Sequence, residues 1–216
     1  MVAIYADGAG VDQMRAYAAD PRIQGFTTNP SLMRAAGITN YRDFAKAVLD
    51  VVRGKPVSFE VLADDFYGME KQAREIASWG PNVYVKLPIT NTRGESITPL
   101  IGALGELNLN ITAVMTEDQL LGISHRLLPH HIVSIFAGRI MDTGVEPPRF
   151  TGSGYKLLWA SAREVYSVQQ AAEYGYDIIT LTPALLAKLD LHRKNLAQYS
   201  LETVQQFQKD AEGIVL

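Results

Sequence analysis

A lysine stands inside a segment that otherwise reads as a buried strand. The run VYVKLPITN, from Val83 to Asn91, is short, apolar and β-branched, yet it carries Lys86 two residues before a proline. Lysine is rarely fully buried unless something pairs with it or uses it. Desolvation and nearby positive charge disfavour an ammonium, so an amine in such a place is partly a free nucleophile. It can condense with a ketone or aldehyde to a Schiff base, whose iminium is an electron sink for making or breaking a carbon–carbon bond. That chemistry needs a base to move a hydroxyl proton, a held water, polar groups for sugar hydroxyls and an anion site. Asp7, Asn29, Glu60, Asn110, Thr112, Ser134, Ser161 and Arg163 offer these groups, distributed over six other strand-like runs.

The elements that must position these groups alternate along the chain. Strand patterns cover Ala3–Asp7, Gly25–Asn29, Pro56–Leu62, Val83–Ile89, Leu109–Met115, His131–Phe136, Lys156–Arg163 and Asp177–Thr182. Helical patterns lie between most of them, at Val11–Ala19, Tyr41–Arg53, Asp65–Ser78, Thr98–Glu106, Glu117–Leu128 and Glu164–Tyr174. Such alternation implies a parallel sheet, and eight strands imply a closed (β/α)₈ barrel over residues 1–216 as one domain. A doubly wound open sheet is the competitor, but DGAG after the first strand is too weak for a dinucleotide fingerprint. Between Arg139 and Lys156 the chain reads IMDTGVEPPRFTGSGY, and its prolines and glycines leave no room for a regular helix. The sixth helix is therefore expected to be missing or shortened, with the apolar flank of the sixth strand covered by Ile140–Tyr155 or by a neighbouring chain.

Side chains alternate along a strand. Val83, Val85, Val57, Phe59, Leu109, Ile111, Ala113, Phe26, Thr28, Ile4 and Ala6 fall on one face. Tyr84, Lys86, Ser58, Glu60, Asn110, Thr112, Thr27, Asn29, Tyr5 and Asp7 fall on the other. Trp159, Ser161 and Arg163 share one parity, which makes Trp159 either a packing residue or a sugar-stacking wall. The polar set lies late in each strand, at the rim where barrel enzymes place their chemistry. Structural readings exist for each residue alone, since Asp7 could cap a turn and Glu60 could simply pair with Lys86. Six strands placing polar groups on one rim by the same parity make accident hard to sustain.

Composition sets the outer bounds. Hydrophobic residues make up 47% and charged residues 20%, with a net charge of −3. Neither nucleic acid nor an anionic membrane is an expected partner. The absence of cysteine excludes a disulfide framework and a thiolate metal site. No signal-like leader or membrane-length apolar run is visible, so a cytoplasmic location is expected. His130 and His131 precede the sixth strand without converging ligands, and no metal is expected there. Val204, Phe207 and Ala211 mark an amphipathic helix over Leu201–Gly213.

Five motifs resemble one family. GFTTNPSL (Gly25–Leu32), VKLPIT (Val85–Thr90), LNITAVMTEDQ, SIFAGRIMD and ASAREV are similar, in order, to the second, fourth, fifth, sixth and seventh strand motifs of the transaldolases. The small transaldolase and fructose-6-phosphate aldolase group is the nearest part of that family, and the resemblance spans nearly the whole chain. It implies a class I Schiff-base barrel without metal or other cofactor. Lys86 would form the Schiff base, Asp7 would act as acid/base, and Glu60 and Thr112 would hold the catalytic water. Thr28, Asn29, Asn110, Ser134 and Phe136 would bind the ketose. Arg139, Ser161 and Arg163 would bind the acceptor's phosphate, since guanidinium forks suit phosphate.

The resemblance further implies transfer of a dihydroxyacetone unit from a ketose phosphate to an aldose phosphate. Aldol cleavage with free dihydroxyacetone and a non-catalytic sugar-phosphate-binding barrel are the alternatives. Transaldolases tend to carry Glu and Phe where this chain has Glu60 and Phe136, and the aldolases Gln and Tyr. Bare apolar surface on the sixth strand's flank would mark an interface, so a homo-oligomer is expected; in this family C-terminal helices often join subunits. Departures from the family's pattern are Gly8-Ala9-Gly10 after Asp7, where Thr-Ala-Asn is usual, and Ile135 where proline is usual. Both, with the reduced sixth helix, bear on the acceptor rather than on the Schiff base.

Overall fold

The strand that carries the lysine runs from Val83 to Pro88, and seven others close around it. The computed structural model describes residues 2–214. Strands β1 (Ala3–Asp7), β2 (Ile23–Thr27), β3 (Val57–Glu60), β4 (Val83–Pro88), β5 (Leu109–Val114), β6 (Ile132–Ile135), β7 (Lys156–Trp159) and β8 (Ile178–Leu181) pair in sequence order, all parallel. Ala3 to Ala6 pair with Ile178 to Leu181 and seal the ring. The molecule is a (β/α)₈ barrel.

The outer layer follows the amphipathic patterns. Helices α1 (Val11–Ala19), α2 (Pro30–Ala35), α3 (Tyr41–Val51), α4 (Phe66–Ala77), α5 (Thr98–Ala103) and α6 (Glu117–Ser124) precede α7 (Ala137–Asp142), α8 (Ser167–Glu173), α9 (Pro183–Leu186) and α10 (Leu196–Asp210). In α3, Phe44, Ala45, Val48 and Val51 form the buried stripe; in α4, Met69, Ala73 and Ile76 do so. These stripes meet the outward face of the strands, where Val57, Phe59, Val83, Val85, Leu109 and Ile111 are buried. Caps set the helix starts. Asn40 Oδ1 accepts from Asp43 N, Asp65 Oδ1 from Gly68 N, and Thr116 with Gln119 forms a capping box.

The interior face divides by depth. Tyr5, Ile132, Leu158 and Ile178, with Tyr84 against them, fill the lower barrel. The polar residues lie above them. Position 25 must be glycine at this level because the Tyr5 ring takes the place of a side chain: a Cβ on Gly25 would stand 2.5 Å from it.

The element after β6 is short, as the sequence implies, but it begins at once. Helix α7 spans six residues, from Ala137 to Asp142, and the chain then runs without regular structure to β7. That segment covers its own flank. Phe150 N donates to Tyr174 O at 2.8 Å, Tyr176 Oη donates to Pro148 O at 3.2 Å, and the Arg149 guanidinium lies 3.9 Å from the Tyr174 ring centroid. Val133 and Ile135 are fully buried without a second chain, so this flank offers no bare surface to a neighbour. Apolar exposure lies on α10 instead, which buries no residue and leaves Leu196, Val204 and Phe207 open. It begins five residues before the helix expected from Leu201, because Asn195 caps it through Gln198 N. Among the described residues no helix is long and apolar enough to cross a membrane.

Helix α7 packs tightly against the end of β7. Gly138 N donates to Ala160 O at 3.2 Å, and a Cβ on Gly138 would stand 1.6 Å from Ser161 O. Backbone cannot yield as a side chain can. Gly138→Ala should therefore destabilise by about 2–3 kcal/mol through overpacking. Gly122→Ala, in open space on α6, should instead stabilise by about 0.5–1 kcal/mol. Urea unfolding of the two variants against the parent measures both; a Gly138→Ala midpoint equal to the parent's would remove the close approach.

Candidate active site

At the C-terminal ends of the strands lies a cavity of about 390 Å³. Lys86 reaches it from β4 and is 6% exposed. Its Nζ is 3.1 Å from Glu60 Oε2 and donates to the Thr28 carbonyl at 2.9 Å. Glu60 comes from the last position of β3, opposite Lys86 in the β3–β4 register. The lysine thus has a carboxylate and a carbonyl as partners, the condition under which a barrel interior accepts a cation.

Asp7 ends β1 and faces the same cavity. Thr27 Oγ1 donates to Asp7 Oδ1 at 2.8 Å. That bond uses the Thr27 proton, so Thr180 Oγ1, at 2.5 Å, is the donor to Thr27 Oγ1. Burial pushes the Asp7 carboxyl above the usual carboxylate range and the Glu60 charge adds to the effect, while the Thr27 hydrogen bond and Lys86 pull it back. A carboxyl so placed exchanges a proton at higher pH than a surface aspartate, as an acid/base requires.

A second polar group of residues supports the floor of the site. Asn110 Nδ2 donates to Ser58 Oγ at 3.0 Å, and Ser134 Oγ donates to Asn110 Oδ1 at 2.7 Å. Asn110 is fully buried and does not line the cavity; it acts beneath it, fixing Ser134, which does. Thr112 also lines the cavity, and among the described residues its buried Oγ1 has no hydrogen-bond partner. A buried hydroxyl without a protein partner in a polar cavity is a place for a water or a ligand hydroxyl. Asn29 caps α2 through Leu32 N at 3.0 Å, which leaves its amide nitrogen to the cavity.

The far end of the cavity is basic. Arg139 lines it from α7, with its guanidinium 5.1 Å from the Phe136 ring centroid, and Ser161 lies beside it. Arg163 does not line the cavity. It pairs with Asp142 at the surface, Nε donating to Oδ1 at 3.1 Å, and this pair holds the Asp142 carboxyl below the usual range.

Besides Asn110 and Arg163, which stand off the cavity where the resemblance put them in it, three expectations of placement need correction. Thr28 does not face the cavity: its side chain is fully buried and donates to Ser58 O at 3.1 Å, and only its carbonyl reaches the lysine. Thr27, which the alternation of β2 sends inward, is the threonine of the site. Trp159 is not a sugar-stacking wall. It packs outward, edge-on to Tyr174 and Tyr176 at 5.8 and 5.1 Å, because Leu158 takes the inward place in regular β7; Ser161 reaches the cavity by turning left-handed (φ 61°) after the strand ends, so the two do not share a parity. Ala113 lines the cavity although alternation sends it outward, because it is also left-handed (φ 62°) at an irregularity between β5 and β6. Thr180, Pro30, Ser31 and Leu32 join the lining unforeseen. Thr180 is the lone polar residue of Ile178–Leu181, and that alone marks it.

Known proteins match this chain in sequence and in fold. A family model described as Transaldolase/Fructose-6-phosphate aldolase matches residues 4–215. A protein from Carboxydothermus hydrogenoformans named "Probable transaldolase" is 31% identical over 88% of this chain and 90% of its own length. One of the same name from Mesorhizobium japonicum is 31% identical over 95% and 98%. Among solved structures, a dihydrodipicolinate synthase from Rhodopseudomonas palustris shares the fold alone, with a TM-score of 0.54 and 13% identity over 83% of this chain and 69% of that one. With the family motifs matched from the first strand to the last helix, the chain belongs to the transaldolase/fructose-6-phosphate aldolase family.

Proposed function

We propose that the protein transfers a dihydroxyacetone unit from a ketose phosphate to an aldose phosphate through a Schiff base on Lys86. The observation that carries this reading is the buried Lys86 amine in one cavity with Glu60, Asp7 and the unpartnered Thr112 hydroxyl. The Lys86 ammonium passes a proton to Glu60, the free amine attacks the ketose carbonyl carbon, and Glu60 returns the proton to the departing oxygen. Loss of the former carbonyl oxygen as water gives the iminium, with Glu60 and Thr112 holding that water. Asp7 takes the proton of the hydroxyl two carbons further on. The carbon–carbon bond between breaks, its electron pair flows into the iminium, and an aldehyde leaves. The enamine left on Lys86 adds to an incoming aldehyde, Asp7 returns the proton to the new alkoxide, and water releases the product ketose.

All four of Asn29, Ser134, Arg139 and Ser161 line the cavity; on this reading the first two meet the ketose hydroxyls and the last two the phosphate. Phe136, where an aromatic hydroxyl would help a water protonate the enamine, favours transfer over release of free dihydroxyacetone. Borohydride reduction in the presence of fructose 6-phosphate, read by mass spectrometry, tests the reading. An adduct on Lys86 is expected; its absence excludes the Schiff base and leaves a binding barrel. Turnover that requires an added aldose phosphate marks a transferase, and steady release of dihydroxyacetone without one marks an aldolase.

Lys86→Met should abolish both adduct and turnover; the similar chain length opens no cavity, but Glu60 loses its partner, so the variant should fold with reduced stability. Any retained turnover would show that Lys86 is not the nucleophile.

Arg139→Ala should weaken phosphorylated acceptors by about 1.5–3 kcal/mol, or roughly tenfold to a hundredfold in kcat/KM, and spare plain aldehydes. Equal losses for glyceraldehyde and its phosphate would remove the phosphate role.

Thr27→Val should move the acidic limb of the kcat/KM profile to higher pH. The Asp7 carboxylate is the active base, and activity falls as pH drops through its raised pKa. Removing the hydrogen bond that favours the carboxylate raises that pKa further. A limb that stays put or moves down would dissociate Asp7 from the profile.

A further inference from the structure

The β2–β3 ladder stops one bond early, at the edge of the cavity. Phe26 N donates to Pro56 O at 2.8 Å, and Thr28 N to Ser58 O at 3.2 Å. A parallel ladder continues by sending the next amide, Glu60 N–H, back to the Thr28 carbonyl. Here Glu60 N–H donates to Tyr41 Oη at 2.8 Å, and the same hydroxyl donates to the Glu60 carbonyl at 3.0 Å. The Thr28 carbonyl accepts from Lys86 Nζ instead.

Tyr41 is built for this task. It opens α3, directly after the Asn40 cap, and its ring sits edge-on to Phe59 at 6.1 Å and Trp79 at 5.4 Å. Two aromatic neighbours fix the ring, so the hydroxyl meets the Glu60 backbone at one place. Burial and the nearby Glu60 charge push its pKa up, which keeps the phenol protonated and able to donate.

We propose that Tyr41 is a positioning residue for the amine: it holds the Glu60 backbone off β2, reserves the Thr28 carbonyl for Lys86, and sets the Glu60 carboxylate at Nζ. Without the hydroxyl, the ladder geometry leaves Glu60 N–H one backbone acceptor, the Thr28 carbonyl. That bond would close the ladder and compete with Lys86. The inference rests on the Schiff-base reading of Lys86 and goes beyond it, since Tyr41 does not line the cavity.

The test is Tyr41→Phe, which keeps the ring and its packing and should fold with a melting temperature a few degrees lower. Borohydride trapping of fructose 6-phosphate on Lys86, and kcat/KM, should fall roughly tenfold relative to the parent protein. An adduct on the parent belongs to the Schiff-base reading; only the ratio of variant to parent belongs to Tyr41. Phe44→Leu, a packing change on the same helix, is the control for lost stability and should trap at the parent rate. Combined with Glu60→Gln, Tyr41→Phe should add far less than its own tenfold, because both act through one carboxylate. An NMR measurement on the parent stands apart from trapping and from the variant's folding. The Tyr41 hydroxyl proton should exchange slowly and show a cross-peak to the Glu60 amide. Parent-like trapping in Tyr41→Phe, a loss matched by Phe44→Leu, full additivity with Glu60→Gln, or a fast-exchanging hydroxyl would each overturn the proposal.

Discussion

The contact on which the site depends is that of Lys86 Nζ with Glu60 Oε2 and the Thr28 carbonyl, inside a closed barrel. Taking two charges out of water costs several kcal/mol per ion after relaxation, and their attraction offsets this only with good geometry and further hydrogen bonds. The barrel supplies the geometry through register: Glu60 and Lys86 are direct partners across β3 and β4, and both side chains point inward. Such a pair is weak evidence of stability. Its presence in a polar cavity is better explained by chemistry than by folding. The apolar work is done elsewhere, on the outward face of the strands, where Val57, Phe59, Val83, Val85, Leu109 and Ile111 meet the helices.

That division of labour lets the interior carry polar groups at little cost, because they satisfy one another in short chains. Ser58, Asn110 and Ser134 span β3, β5 and β6; Thr180, Thr27 and Asp7 span β8, β2 and β1. The first chain starts on Ser58, buried in the wall, and ends on Ser134, which lines the cavity; all three members of the second line it. The first ends on a neutral hydroxyl and the second on a carboxylate whose proton affinity burial raises. Thr112 breaks the rule, since its buried hydroxyl has no protein partner among the described residues. An unsatisfied buried hydroxyl costs about 1–3 kcal/mol. Beside Glu60 and Lys86, that cost makes sense as a hydroxyl reserved for water or substrate.

The barrel and the inward set were legible in the sequence because period two holds wherever a strand is regular. Lys86, Glu60, Asp7, Asn29, Ser134 and the tyrosine floor all follow from it. It failed where the backbone leaves the extended region. Ala113 and Ser161 are left-handed without being glycine, and alternation does not carry across either: Ala113 turns into the cavity, and Ser161 enters it although Trp159, two residues earlier in regular β7, faces outward. Nothing in the residue types announces those two conformations. Strand ends were overrun for a related reason: Asn29 reads as strand, yet it is the cap of α2, with Pro30 at the first helical position. Tyr41 was invisible for another reason, since a helix residue that serves a strand's backbone has no periodic signature.

The two arginines at the basic end differ in a way that magnitudes resolve. Arg139 already lines the cavity, stacked on Phe136, whereas Arg163 is held at the surface by Asp142. Both members of that pair are about half exposed. An exposed ion pair is worth about 0–1 kcal/mol. A charge-assisted hydrogen bond to a bound phosphate is worth about 1.5–3 kcal/mol. On the proposed reading, Arg163 would leave Asp142 for a phosphate held by Arg139 at little net cost, while a plain aldehyde offers no reason to move. Asp142 sits on the last turn of α7 and Arg163 follows β7, so the short α7 and the left-handed turn at Ser161 together decide where that arginine waits. On the proposed reading, the reduced helix at this corner leaves the Schiff base unaltered and acts on how an acceptor's phosphate is collected.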